Sequence, residues 1–175
     1  MQVHSYAKCH RRTFESFDSV PLHGLPPVES ITTALWLRLG DAISLLLDPG
    51  DTCLHPTTKL DLQLSSGLHG ANHALKIACC LLLDCDPADI CCEHESKELR
   101  LLIYDAAVGG TGLAWQAFCR IELLIATAVG LLEECICTNG CPSCIFTAEA
   151  GCYDDAICKR SALSILRNLI AIIRE

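Results

Sequence analysis

Residues 135–144 read Cys135-Ile136-Cys137-Thr138-Asn139-Gly140-Cys141-Pro142-Ser143-Cys144. Four thiols fall within ten residues, with gaps of one, three and two residues between them. The Asn139-Gly140 pair lets the chain turn tightly, because both residues tolerate positive φ at little steric cost, and Pro142 fixes the next bend. A chain that turns this sharply can point all four sulfurs at one centre, and Zn2+ takes four thiolates tetrahedrally at about 2.3 Å. The competing reading is four small apolar side chains in a buried turn, since free cysteine is among the most buried residue types. Spacing and turn chemistry together favour the metal. Four thiolates fill a tetrahedral shell and leave no open position, which marks a structural rather than a catalytic zinc. An iron–sulfur cluster held by four cysteines is the rival. Cys152 and Cys158 lie close enough in sequence to substitute for one ligand, so spacing alone leaves the set of four open.

The rest of the chain sets bounds on that site. At 175 residues it is long enough for one domain with a real core. Apolar residues make up 51% but aromatics only 5%, so the expected core is Leu, Ile, Ala and Cys. The net charge of −8, from 13 basic and 21 acidic residues, argues against holding nucleic acid by bulk electrostatics, which needs Lys and Arg against phosphate. The first residues carry early charges and no apolar h-region, so a secretory signal is not expected. The fourteen cysteines are then expected to be reduced thiols inside the cell, some of them on metal. No apolar run reaches the roughly 18 residues of a membrane helix. The longest, Leu123 to Leu132, is bracketed by Glu122 and Glu133, and a membrane association is not expected.

Upstream of the cysteines, Leu113, Ala117, Ile121, Leu124, Ala128 and Leu131 recur at helical spacing. Gly109-Gly110-Thr111-Gly112 precedes them, and the apolar run Leu99 to Tyr104 before that reads as a buried strand. A strand, glycine turn and helix in that order can offer backbone N–H groups to an anion. No Lys-Ser or Lys-Thr follows and the spacing is not GxGxxG, so a tight turn packing helix against strand is the preferred reading. A further helix is expected to start at Ser65-Ser66, with Ser as N-cap, and to bury Leu68, Ala71, Leu75, Cys79 and Leu82. His69 and His73 share one side of it. Gly70 stands where an HExxH motif needs Glu, and a structural role is favoured for both histidines.

Residues 1–20 are short and polar, with weak alternation at Val3, Tyr6 and Phe14 that suggests one or two strands. Lys8, His10, Arg11 and Arg12 form a basic cluster that reads as a solvated loop or edge. Residues 21–28 and 48–66 read as connector and loop. Thr33, Leu35, Leu37 and Leu39 alternate as a half-buried strand with Trp36 on the other face. Beyond the cysteines, Asp154 is a candidate N-cap for a last helix burying Ala162, Leu166, Leu169, Ile170 and Ile173. Arg160, Arg167 and Arg174 form a stripe on it. Such a stripe is usually a solvated face, and here it is also the best candidate for touching a phosphate backbone. The expected fold class is α/β (α+β), a small sheet packed with about three helices plus a four-cysteine zinc turn. Residues 1–64 form an upstream strand and loop region and residues 65–175 the zinc-binding domain, together one compact unit.

One family carries these motifs in this order. Gly67-Leu68-His69 with His73-Ala74-Leu75, then Tyr104-Asp105 before Gly109-Gly110-Thr111-Gly112, then Cys-x-Cys-x3-Cys-Pro-x-Cys, resembles the MrfA-associated zinc-binding domain. That domain lies at the C-terminus of DEAD/DEAH-type DNA helicases, in bacterial MrfA and in RecQ-related fungal and plant relatives. The similarity covers residues 65–172, and more faintly Pro26-Pro27-Val28-Glu29 through Thr33 to Trp36-Leu37. It implies an accessory domain of an ATP-dependent 3′–5′ DNA repair helicase, in the nucleus of a eukaryote and otherwise in the cytoplasm. It also implies zinc on Cys135, Cys137, Cys141 and Cys144. Val108 stands where the family usually has Pro before the glycine pair. The chain contains no ATP-binding loop, no DExH box and no second motor lobe, parts a helicase needs to cradle phosphates and Mg2+. It is therefore expected to be no enzyme by itself, its partners being motor domains in cis or trans and single-stranded DNA. The alternatives are a free-standing zinc-stabilised interaction module and an iron–sulfur or thiol redox protein.

Overall fold

A computed structural model of the chain describes residues 5–9, 16–21, 29–40, 60–147 and 157–174. The chain divides into two compact units, Met1–Ser30 and Ile31–Glu175. In the first, β1 (Ser5–Cys9) pairs antiparallel with β2 (Ser16–Pro21). Of the basic cluster, Lys8 sits in β1 opposite Asp18, while His10, Arg11 and Arg12 lie outside the described residues.

The second unit is organised around α1 (Leu60–Leu83), 24 residues and about 36 Å at 1.5 Å per residue. From Leu64 to Cys79 every residue except Ser65 and Ile77 is buried, as a helix packed on all sides must be. The expected start at Ser65-Ser66 is incorrect: α1 begins at Leu60, so residues 60–66 are helix and not loop. Capping preference is a local signal that packing overrides. Here Ser65 Oγ shares a hydrogen bond with Ser96 Oγ at 2.9 Å, and the Ser66 carbonyl accepts the Cys158 N–H at 3.2 Å. At its other end Asp84 takes φ 52° and the Cys85 N–H returns to the Cys80 carbonyl, a Schellman closure.

Three antiparallel strands lie in the order β3 (Ala34–Arg38), β5 (Arg100–Asp105), β4 (Ile90–Glu95). The β3 segment, in the upstream region 1–64 of the sequence reading, thus shares a sheet with β5. Strand β4 is not foreseen in the sequence. Its inward positions are Ile90, Cys92 and His94, in register with Asp105, Ile103 and Leu101, and two of these three are not the Leu, Ile or Val that mark a strand. Leu35 and Leu37 join the inward face opposite Ile103 and Leu101, while Trp36 lies on the other face and is 64% exposed.

The helical pattern of residues 113–131 is two helices, α2 (Leu113–Cys119) and α3 (Ile121–Glu134). They break at Arg120 (φ −122°, ψ 29°) and turn 90°. The bend lets α2 pack against β3 and β5 while α3 packs against α1 and α4 (Lys159–Arg174), surfaces that a straight rod could not meet together. On α4, Ala162, Leu166 and Leu169 are buried as expected, joined by Ile165, whereas Ile173 is 38% exposed. Asp154 lies outside the described residues. Four helices, a three-stranded antiparallel sheet and a cysteine turn among the described residues make this the expected mixed α/β fold. No single described helix is long and apolar enough to cross a membrane.

Candidate metal centre

Helix α3 ends at Glu134, and Cys135 (φ −74°, ψ 120°) turns the chain out of it. Gly140 then takes φ 110°, and a Cβ there would fall 2.5 Å from Ile145 Cγ2, so the reversal needs glycine. Past it, the Cys141 carbonyl accepts the N–H groups of Cys144, Ile145 and Phe146 at 3.0–3.2 Å, closing one tight turn around Pro142. Ile145, fully buried, anchors that turn against α1.

This backbone brings four sulfurs together. Cys135 Sγ lies 3.4 Å from Cys137 Sγ and 3.4 Å from Cys141 Sγ. Cys144 Sγ lies 3.5 Å from Cys137 Sγ and 3.8 Å from Cys141 Sγ, and all four lie within 4.8 Å of one another. Sulfurs placed 2.3 Å from a tetrahedral centre are about 3.8 Å apart, so the cage fits one zinc ion. An iron–sulfur cluster places several irons and sulfides between its thiolates, and the close cage does not support that alternative. Burial pushes the Cys144 thiol up to about 12. Burial acts upward on Cys137 too, but hydrogen bonds from Cys135, Cys144, Cys141 and Lys159 outweigh it and bring that thiol to about 6. The Cys141 thiol is lowered as well, first by its hydrogen bond with Cys135, while the raised Cys144 thiol needs a cation to draw off its proton, as metal binding does.

Lys159, which the sequence reading passed over, lies beside the cage. Its ammonium donates to the carbonyls of Cys135 and Cys137 at 2.7 Å each and lies 3.4 Å from Cys137 Sγ. Ten of the described cysteines are free. Cys158, a candidate substitute ligand expected to be reduced, is disulfide-bonded and stands outside the cage; Cys152 lies outside the described residues.

The other candidates sit elsewhere. His69 and His73 are buried, with rings 4.6 Å apart, and His69 stacks on His94 of β4 at 4.9 Å. His73 Nδ1 shares a hydrogen bond with Thr147 Oγ1 at 2.9 Å, holding the chain as it leaves the cysteine turn. The glycine turn does cradle an anion, one supplied by the chain itself. The Asp105 carboxylate, 1% exposed, accepts the N–H groups of Thr111, Gly112 and Ala114 at 2.6, 2.6 and 2.7 Å. On the arginine stripe, Arg167 pairs with Glu133 at 2.8 Å and Arg174 with Glu122 at 2.8 Å, so α4 uses two of its three arginines to clasp α3. Arg160 is exposed.

Comparison with known proteins agrees with this site. Residues 71–145 match the model of the MrfA Zn-binding domain. The chain is 32% identical over 151 residues to the ATP-dependent helicase YprA of Bacillus subtilis, covering 83% of this chain and 18% of that one. It is 27% identical over 155 residues to the ATP-dependent helicase HRQ1 of Saccharomyces cerevisiae, covering 80% and 13%. The crystal structure of the DUF1998 helicase MrfA bound to DNA matches with a TM-score of 0.65 at 27% identity, over 93% of this chain and 20% of that one. The chain thus spans less than a fifth of the length of these two curated relatives. The cysteine cage closes the stretch that matches the MrfA Zn-binding domain, residues 71–145, and the relatives matched over most of this chain are ATP-dependent helicases.

Proposed function

We propose that this chain is the C-terminal zinc-binding accessory domain of an ATP-dependent 3′–5′ DNA repair helicase, without the motor. The observation that carries the reading is the four-sulfur cage of Cys135, Cys137, Cys141 and Cys144 within a domain whose relatives are helicases. A zinc ion there supplies folding free energy rather than a reaction step. It holds the turn that follows α3 in shape, and Lys159 at the start of α4 bonds to that turn. By itself the chain neither hydrolyses ATP nor unwinds DNA, and it works inside the cell, in the nucleus of a eukaryote and otherwise in the cytoplasm.

Two surfaces support an accessory role. A groove of about 260 Å3 between β3 and α2 is bordered by Trp36, Trp115 and Phe118, which are 64%, 60% and 52% exposed. No charged side chain lines it, which suits a protein surface such as a motor domain supplied in cis or trans. A second groove, of about 440 Å3, runs beside the cysteine turn with Arg160, Arg167 and the Glu133 that pairs with Arg167 on its wall, and its arginines are the candidates for meeting the phosphates of a single strand. The test is fluorescence anisotropy with a labelled single-stranded oligonucleotide at low salt. Binding that weakens as salt rises, and falls further on replacing Arg160, Arg167 and Arg174 by Ala, supports the reading. Absence of binding in low salt would favour the free-standing interaction module.

A further inference from the structure

We infer that Lys159 is the outer-sphere cation of the zinc centre, holding the Cys135–Cys137 arm in ligating position and offsetting the charge of its thiolates. The inference rests on the zinc reading above. Lysine is almost never fully buried unless its charge is met, yet Lys159 is only 6% exposed. Its described acceptors are two carbonyls and one sulfur, all on the metal turn, and none is a carboxylate. The two carbonyls follow directly on the last turn of α3, where the helix dipole is negative.

With the metal in place the centre keeps a negative charge for the ammonium to meet. Four thiolates around Zn2+ carry a net charge of −2, and a buried ammonium in contact with one of the sulfurs compensates half of it. The same ammonium bridges two carbonyls two residues apart, which turns the Cys135 and Cys137 side chains toward one centre. Outer-sphere partners of this kind orient ligands and tune the metal, and losing one typically weakens metal affinity about 10–100-fold. Because Lys159 opens α4, the contact also makes the seating of that helix depend on metal occupancy.

The test compares wild type with Lys159→Met, Lys159→Arg and Arg160→Met. Arg160→Met removes a neighbouring charge that is exposed. Zinc affinity is read by competition with a chromophoric chelator, and the sulfur-to-metal charge-transfer band is read on the Co2+-substituted protein. The expected result is affinity at least about 10-fold weaker with a shifted band for Lys159→Met, partial recovery with Arg, and no change for Arg160→Met. Equal affinity and an unchanged band in Lys159→Met would overturn the inference. So would an equal loss in Arg160→Met, which would mean a diffuse field effect. If Lys159→Met does not fold, Lys159→Arg decides: its longer, planar head cannot bridge both carbonyls and the sulfur in the same way, so wild-type affinity and band position would count against the role. Wild-type protein that takes up neither Zn2+ nor Co2+ would instead sink the zinc reading on which all this rests.

Discussion

The Asp105 carboxylate accepts the backbone N–H of Ala114 at 2.7 Å, across the turn that joins β5 to α2. It also accepts the N–H groups of Thr111 and Gly112, so one carboxylate meets three backbone donors where the chain enters α2 and a helix start leaves N–H groups unpaired. Charge-assisted bonds of this kind are worth about 1.5–3 kcal/mol each, and the cost rises when a buried partner is stranded. Asp105→Asn should therefore lower stability by about 2–4 kcal/mol, seen as a reduced urea midpoint at unchanged slope. A midpoint within error of wild type would show that the turn holds without its internal anion.

Gly70 lies where α1 meets both α4 and the cysteine turn. A Cβ there would fall 2.8 Å from Ile145 Cδ1 and 3.1 Å from Ala162 Cβ. Alanine favours helix over glycine by about 1 kcal/mol, so local propensity predicts a gain and packing predicts a loss. Packing should win: Gly70→Ala is expected to destabilise by about 1–3 kcal/mol. Gly130, in α3, has nothing within 4 Å of an added Cβ, and Gly130→Ala should stabilise by about 0.5–1 kcal/mol. Thermal melts of the two variants should move in opposite directions.

Metal content gives the third prediction. Purified under reducing conditions, the chain should carry one zinc ion by mass spectrometry. Stripping it with a strong chelator should lower the melting temperature by at least about 10 °C, since a structural site's binding free energy is folding free energy. Cys144→Ser, at the fully buried position of the cage, should do the same without chelator. An unchanged melting curve after complete removal would exclude a structural role for the ion.

Acid sensitivity should arise at His73 as well as at the thiols. Burial first, then the neighbouring His69, depress the His73 imidazole from 6.5 to about 4, with His94 and Lys76 acting in the same direction. A depressed folded-state value means that the unfolded chain binds the proton more readily. The stabilisation is therefore intact above pH 6.5 and is lost as pH falls toward 4. Zinc release also occurs in acid, so the comparison is with His73→Asn in chelator-treated protein. The wild-type melting temperature should fall more steeply between pH 6.5 and 4.5 than that of the variant; parallel curves would remove His73 from the account.

Parts of this molecule are legible in the sequence because their determinants are local. The strand around Leu35, the strand before Asp105 and the buried face of α4 each follow from periodicity within a few residues. Strand β4 was hidden because Cys92 and His94 occupy inward positions that pattern reading expects to be aliphatic. The start of α1 was misplaced because Ser65 and Ser66 look like caps, and only their contacts with Ser96 and Cys158 show them to be interior. The bend at Arg120 left no mark, since the apolar spacing runs through it unbroken; what requires it is the pair of surfaces that α2 and α3 must reach.

By itself the sequence determined the cysteine turn. The gaps of one, three and two residues, with Asn139-Gly140 and Pro142 between them, bring four thiols toward one centre through backbone turns alone, and the structure, with Cys158 outside the cage, shows which described cysteines gather there. Tertiary structure decided what that site is attached to. Lys159 reaches Cys135 from 24 positions away and Thr147 meets His73 across 74. Contacts at such separations exist only once α1, α3 and α4 have packed, because it is the packing of the helices that brings these side chains within hydrogen-bonding distance.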